Sequence, residues 1–433
     1  MEHAGARELT PHEARLVIEK VGASGEPPEY GARHFTAGID PLLAALREEY
    51  LGTLLKQGIS TFKLLVGDYG AGKTHFLYCL REVAWEEHYA VSLVALNPRD
   101  CPFDRLELVY RELVSNIMLP VRPGGWFDPA DKGIEWVVEK WIESVMEGME
   151  GLDERERTRQ VQRYLQSLKR IESSSFRQAV RTAFSSYVNE ETEQFDLVLA
   201  WLKGEPVDKR RLNELNIFER VDKTTAFRLI RSLCQWIREI GYSGLVLLFD
   251  EGERQSSISG SKSKKIAYDN LRQVVDECGH SKLPGTMFCY AVPTSFKEEI
   301  KAYEALRQRL LVSYPFSRMN PSSVEINLEV LENAGPRLLE EIGHKLTAVY
   351  ELAFGLELAA AVRNELVQML AQRTFDQVLD VSHRRIFVKL LIEALHLYRS
   401  RRVPLTGEEV EKLTHGVIYS LSEHETESAE GEW

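Results

Sequence analysis

"LLVGDYGAGKTHFL", residues 64–77, decides how the rest of the chain is read. The apolar run that ends at residue 66 reads as a buried strand, and "KTHFLYCLREVAWEE" from Lys73 onward reads as a helix. Between them Gly67, Asp68, Tyr69, Gly70, Ala71, Gly72, Lys73 and Thr74 satisfy G-x-x-x-x-G-K-[ST]. The glycines let the backbone turn its N–H groups toward a phosphate, and the following helix adds its positive end. Lys73 is expected to reach the β- and γ-phosphates and the Thr74 hydroxyl to bind Mg²⁺, with His75 closing the expected nucleotide-contacting run. A chance match of this pattern has a probability of about one or two per cent in a chain of this length. ATP and Mg²⁺ are the expected cofactors. The loop alone leaves open whether they support turnover or only a structural bound nucleotide.

Outward from the loop, strands and helices alternate. "YAVSLVALNP", "GLVLLFDE", "GTMFCYAVPTS" and the short "SVEINLEV" read as further strands. "FDRLELVYRELVSNIM", "TTAFRLIRSLCQWIREIG" and "AYDNLRQVVDECG" read as helices. Alternation of this kind predicts an α/β fold with a parallel sheet covered on both faces. Residues 121–222 change character, with helical patterns such as "GIEWVVEKWIESVMEGM", and predict a helical insertion. Upstream, Thr10 before Pro11 caps a helix over 9–21, a Pro/Gly-rich connector follows, and "DPLLAALREEYLGTLLKQG" reads as a second helix. After about residue 333 only helices are predicted, forming a separate domain. The expected divisions are a lead-in 1–45, an α/β core 46–330, a helical domain 331–420 and an acidic, disordered tail 421–433.

Composition narrows the function classes. The chain of 433 residues can hold two or three domains, and no window approaches eighteen consecutive apolar residues, so no membrane span is expected. The N-terminus lacks the basic and apolar regions of a secretory signal. Five cysteines without C-x-x-C spacing predict reduced thiols in a cytoplasmic protein. No H-E-x-x-H or Cys/His cluster is present, so no protein-bound metal is expected beyond ions carried by a nucleotide. A net charge of −12 disfavours a generic nucleic-acid coat, although a local basic surface is compatible with it.

Hydrolysis needs more than a phosphate loop. "GLVLLFDEGER" is an apolar strand ending in adjacent carboxylates. Asp250 is placed to hold the Mg²⁺ shell and Glu251 to polarise a water for attack on the γ-phosphate. The extra strand between the two motifs marks the additional-strand group of P-loop ATPases. Thr294 ends the next strand and could sense the γ-phosphate; the alternative is an ordinary strand-terminal threonine. Arg307 and Arg309 precede the last strand, where an arginine could reach a neighbour's nucleotide in an oligomer; the alternative is a solvated helix face.

"GDYGAGKTH" together with "LLFDEGE" resembles the AAA+ ATPases, within them the origin-recognition and initiator-like branch. "WLKGEP" and the lead-in "ARHFTAG" resemble the BrxD-type ATP-binding proteins of BREX phage-defence systems. The resemblance implies a three-layer α/β/α core, a C-terminal helical lid, and a sensor arginine at the start of a late helix. "DVSHRRIFVKLL" offers Arg384 or Arg385 for that role. It also implies a homo-oligomer, a helicase-type or other defence partner, and DNA as the ultimate substrate. Candidate DNA contacts are Lys262, Lys264 and Lys265 (with Arg254) in the predicted loop 253–265, and Arg401 and Arg402 (with Arg399 and Tyr398) at a basic helix end. A nucleotide-dependent switch of the signalling type, with little turnover, is the competing expectation.

Overall fold

The computed structural model describes residues 8–121, 131–251, 260–280, 282–330, 335–377 and 383–430. The chain divides into two compact units. Ala45–Leu65 and Arg81–Ile326 form one, called here the sheet unit; Met1–Ala44, Val66–Leu80 and Asn327–Trp433 form the other, called the loop unit.

A single six-stranded sheet is built from β1 (Thr61–Val66), β2 (Ala90–Leu96), β3 (Ile117–Met118), β4 (Leu245–Glu251), β5 (Thr286–Val292) and β6 (Glu325–Asn327), in the order β3-β2-β4-β5-β1-β6. β4 runs parallel to β2 and to β5, with Asp250 opposite Ala95 on one side and Ala291 on the other. Leu245 to Phe249 are almost wholly buried. An unbroken apolar run of this kind belongs to a strand covered on both faces. The mixed α/β fold with a mostly parallel sheet is thus as the alternation predicts.

Three expected elements differ. The helix predicted over 103–118 stops at Ser115, where Asn116 leaves helical backbone and its side-chain amide joins its own N–H on the Glu112 carbonyl, at 2.9 Å. Ile117 and Met118 then form β3, antiparallel on β2. The last strand is shorter than its apolar pattern: Asn327 accepts the Glu329 N–H at 2.9 Å, and the chain turns into a short 3₁₀ segment, Leu328–Val330. The acidic stretch predicted as disordered is helical in its backbone to Glu430, within the helix Gly407–Glu430. Glu and Ala favour helix there.

The described residues between β3 and β4 are largely helical, in keeping with their composition: Ile134–Glu147, Glu154–Ser167, Ser174–Val188, Thr192–Leu202 and Lys209–Glu214. Trp141 and Phe176 from these helices pack their rings edge-on against buried Trp236 of the helix Ala226–Glu239. In the loop unit the helix Pro11–Ser24 begins with a capping box: Thr10 Oγ1 accepts the Glu13 N–H, and Glu13 accepts the Thr10 N–H at 2.7 Å. Its apolar face (Ala14, Val17, Ile18, Val21) shares one core with Leu346, Tyr350, Phe387 and Leu391 of the C-terminal helices. The five cysteines are all buried, and none forms a disulfide.

One buried charge organises the sheet unit. Lys63, 1% exposed on β1, donates to the carbonyls of Ser323 (2.7 Å) and Pro321 (3.3 Å) and to the Tyr50 hydroxyl (2.9 Å). The rings of Tyr50 and Phe316 face its ammonium at 4.1 and 4.5 Å. Tyr50 comes into reach because the predicted helix 40–58 changes to π-helical hydrogen bonding over Arg47–Leu54, where Thr53 Oγ1 bonds back to the Glu49 carbonyl. Burial pushes the Lys63 ammonium down to about 7. An unfolded chain keeps that proton to a pKa of about 10.4. Between these values the unfolded chain binds more protons, so the contribution of Lys63 to stability rises with pH across that window. Lys63→Met should cost about 1–3 kcal/mol by leaving carbonyls unpaired. The wild-type advantage should widen from pH 7 to pH 10, measured by denaturant unfolding at each pH. A gap that narrows over this range would contradict the assignment.

Candidate phosphate-binding site

The loop 67–74 lies wholly in the loop unit, with the start of the helix Lys73–Glu86. Gly70 and Gly72 take φ of 79° and 90°, a conformation glycine adopts at little cost and one that suits a loop turning N–H groups toward an anion. The Ala71 N–H closes a turn on the Asp68 carbonyl at 3.1 Å. Lys73, itself buried, folds back and donates to the carbonyls of Gly67 (2.8 Å) and Asp68 (3.0 Å), which fixes its ammonium over the loop. Fixed ammonium, glycines at positive φ and a fourteen-residue helix beginning at Lys73 make a set that suits a polyphosphate. The Thr74 hydroxyl is the expected Mg²⁺ ligand in this set, and the chemistry of a hydroxyl next to a phosphate cradle fits that ion.

Two side chains of the C-terminal segment close on the loop. Glu329 Oε1 accepts the Asp68 N–H at 2.8 Å. Arg384 donates to the Ala71 carbonyl and, at 3.4 Å, to the Leu328 carbonyl. Burial lowers the Arg384 pKa, and the nearby Glu329 charge opposes that shift. Arg385 takes a different course. It donates to the Ser24 carbonyl (3.0 Å) and to the Tyr69 hydroxyl, with its guanidinium 5.5 Å from the Tyr69 ring centre. Of the two arginines the sequence offers, Arg384 is the one bonded to the glycine-rich turn.

His75 is turned away from the loop toward the lead-in. Its Nε2 lies 2.7 Å from Thr36 Oγ1, and its ring packs on Phe35 at 5.2 Å. Burial, with Arg384 nearby, pulls its pKa to about 4, so the ring is neutral at ordinary pH. The Thr36 hydroxyl donates to the Ala32 carbonyl at 2.9 Å, which assigns the imidazole proton to Nε2. The Thr36 carbonyl in turn accepts from Lys345 at 2.6 Å, in the helix Pro336–Phe354.

In the sheet unit, Asp250 is half-buried and Glu251 buried at the end of β4. Glu251 lies near Tyr268, whose hydroxyl donates to Glu299 at 3.0 Å and is pushed up by burial first, then by Glu299 and Glu251. Thr294 lies two residues beyond β5 and starts the helix Ser295–Lys301 without capping it through its side chain. Arg307 is exposed and paired with Glu304 on its own helix (2.7 Å), whereas Arg309 is half-buried and bonded to Asp276 (3.1 Å through Nη2). The lysines read as a loop stand on a helix, Ser261–Gly279, which begins earlier than its apolar pattern; Lys264 pairs with Glu299 at 2.8 Å, while Lys262 and Lys265 are exposed. Arg254 lies outside the described residues. Arg401 pairs with Glu409 at 2.7 Å, Arg402 follows the helix end, and Arg399 covers the Phe354 ring at 4.0 Å.

Glu329 and Thr36 escape sequence reasoning as site residues. Thr36 stands inside the quoted "ARHFTAG", whereas Glu329 has no signal beyond being an acid just past the last strand. Among the described residues no helix is long and apolar enough to cross a membrane.

No curated protein and no solved structure matches the chain. A family model described as "BREX system ATP-binding protein BrxC/D" does match, over residues 9–403. That span takes in the lead-in with Thr36, the glycine-rich loop, the β4 carboxylates and Arg384. The chain therefore belongs to the family of BREX system ATP-binding proteins BrxC/D.

Proposed function

We propose that this protein is an AAA+-type ATPase that binds and hydrolyses ATP and acts on DNA, with a helicase-type or other defence partner, in BREX-like phage defence. The observation that carries the reading is the ammonium of Lys73 fixed over a loop whose Gly70 and Gly72 take positive φ at the start of a helix. The sheet order supports hydrolysis: β5 separates β1, which leads into the loop, from β4, which ends in Asp250 and Glu251. One strand between the two motifs is the arrangement of the additional-strand ATPases, and the helices 336–430 take the part of the lid.

Within this proposal Lys73 holds the β- and γ-phosphates, and Thr74 and Asp250 hold the ion. Bound Mg²⁺ supplies charge neutralisation to the phosphates. Glu251 takes a proton from the attacking water, and Thr294 orients that water. Arg384 leaves the Ala71 carbonyl for the terminal phosphate, where its planar guanidinium meets a full negative charge and can bond two oxygens at once. A role in a neighbouring subunit requires Arg307 or Arg309 to release its own carboxylate. The exposed Arg307–Glu304 pair is the easier of the two to open. Exposed Lys262 and Lys265 stand in the first turn of a helix, where a cation opposes the dipole and a DNA phosphate would relieve it.

Lys73→Ala should abolish ATP binding in a direct titration. Glu251→Gln should retain binding and lower turnover by about 10²-fold or more. Equal loss of binding in both variants would sink the assignment of roles. Wild-type turnover should rise with DNA, partner or self-assembly. If Glu251→Gln instead keeps a stable ATP-dependent assembly while wild-type turnover stays negligible under all three conditions, the switch reading replaces the motor. Lys262→Ala with Lys265→Ala should weaken DNA binding and reduce the slope of log affinity against log salt by about two.

A further inference from the structure

Glu329 stands where no nucleotide-site motif predicts an acid. The Asx turn at Asn327 ends β6 and starts the 3₁₀ segment Leu328–Val330. As a result the Leu328 carbonyl and the Glu329 carboxylate, from adjacent residues, both meet the phosphate loop. Oε1 of Glu329 takes the Asp68 N–H at 2.8 Å, and the Leu328 carbonyl accepts from Arg384 at 3.4 Å. The same guanidinium donates to the Ala71 carbonyl, four residues earlier than His75 in the loop. Arg384 is thus held between two neutral carbonyls, with the Glu329 charge close enough to favour its ionised form.

Resting on the nucleotide-binding reading above, we propose that Glu329 is a positioning residue that sets the preference of the site for ATP over ADP by competing with the terminal phosphate for Arg384. Phosphate oxygens are stronger acceptors for a guanidinium than peptide carbonyls. Moving Arg384 to a γ-phosphate therefore exchanges neutral carbonyl acceptors for anionic ones, but it withdraws the cation from Glu329. ADP makes no such demand, because it has no γ-phosphate to draw Arg384 away. The carboxylate consequently disfavours ATP selectively, and a neutral residue of the same shape removes that bias.

The test is calorimetric titration of the full chain with ADP and with a non-hydrolysable β,γ-imido ATP, both in Mg²⁺. Glu329→Gln keeps an oxygen for the Asp68 N–H. It should bind the ATP analogue about 3- to 10-fold more tightly while the ADP affinity changes by less than about 2-fold. Glu329→Asp, which retains the charge, should keep the wild-type ratio. In an Arg384→Ala background, Glu329→Gln should shift both nucleotides equally. The proposal is overturned by equal shifts in the wild-type background, by a selective gain that persists without Arg384, by Glu329→Asp behaving as Glu329→Gln does, or by weaker binding of both nucleotides with a lower Tm. The last pattern would make Glu329 a loop brace only. A wild-type chain that binds neither nucleotide overturns the nucleotide reading itself.

Discussion

Between β1 and the helix Lys73–Glu86 the backbone leaves regular structure, so its polar groups need other partners, and the surroundings of residues 67–72 follow from that constraint. The Gly67 and Asp68 carbonyls are taken by Lys73, a side chain of the loop itself. The Ala71 carbonyl is taken by Arg384, more than three hundred residues along the chain. The Asp68 N–H, at the strand end of the loop, is taken by Glu329. Each of the three groups is charged, so under the proposed function a bound polyphosphate would meet the same groups that hold the loop backbone.

The same constraint explains why the two ends of the chain belong together. Arg384 reaches the loop only if the helix His383–Arg401 is anchored, and that helix contributes Phe387, Leu390 and Leu391 to the core it shares with the lead-in helix Pro11–Ser24. Thr36 adds a second tie. Its hydroxyl meets His75 in the first turn after the loop, and its carbonyl meets Lys345. The neutral imidazole suits this position, since an ionised ring would stand beside the Arg384 guanidinium. A lead-in that reads as a simple approach to the core is therefore part of the wall behind the phosphate loop.

What the sequence makes legible divides along physical lines. The glycine pattern, the apolar strand runs and the paired acids at the end of β4 are local signals, and the sheet and the loop stand where those signals put them. Features set by a single side chain competing with the backbone are not legible. A helix ends before Asn116 and a strand at Asn327, and Thr53 shifts a helix into π bonding. Contacts that depend on long-range return of the chain are equally hidden, which is why Glu329 and Lys63 carry no motif. Lys63 interrupts an otherwise apolar strand in "TFKLLV", and that interruption is the one trace left in the sequence of its carbonyl and aromatic cage.

Charges placed against a helix dipole are the remaining signal, and one that composition alone conceals. Arg384 and Arg385 stand in the first turn of a helix whose N-terminal end is already positive, a placement that costs about 0.3–1 kcal/mol per cation when nothing answers it. Here it is answered by the carbonyls of Ala71, Leu328 and Ser24 and by the carboxylates of Glu329 and Glu26. Helix propensity would have favoured acids in that first turn, so two consecutive arginines mark a requirement set by what they face rather than by the helix. Lys262, Lys264 and Lys265 repeat the arrangement at the start of Ser261–Gly279, where Lys264 is answered by Glu299 and the other two stand exposed. The contrast between them separates the two cases: cations at a helix start that meet buried carbonyls set internal geometry, and those at the surface leave the dipole to be answered by solvent.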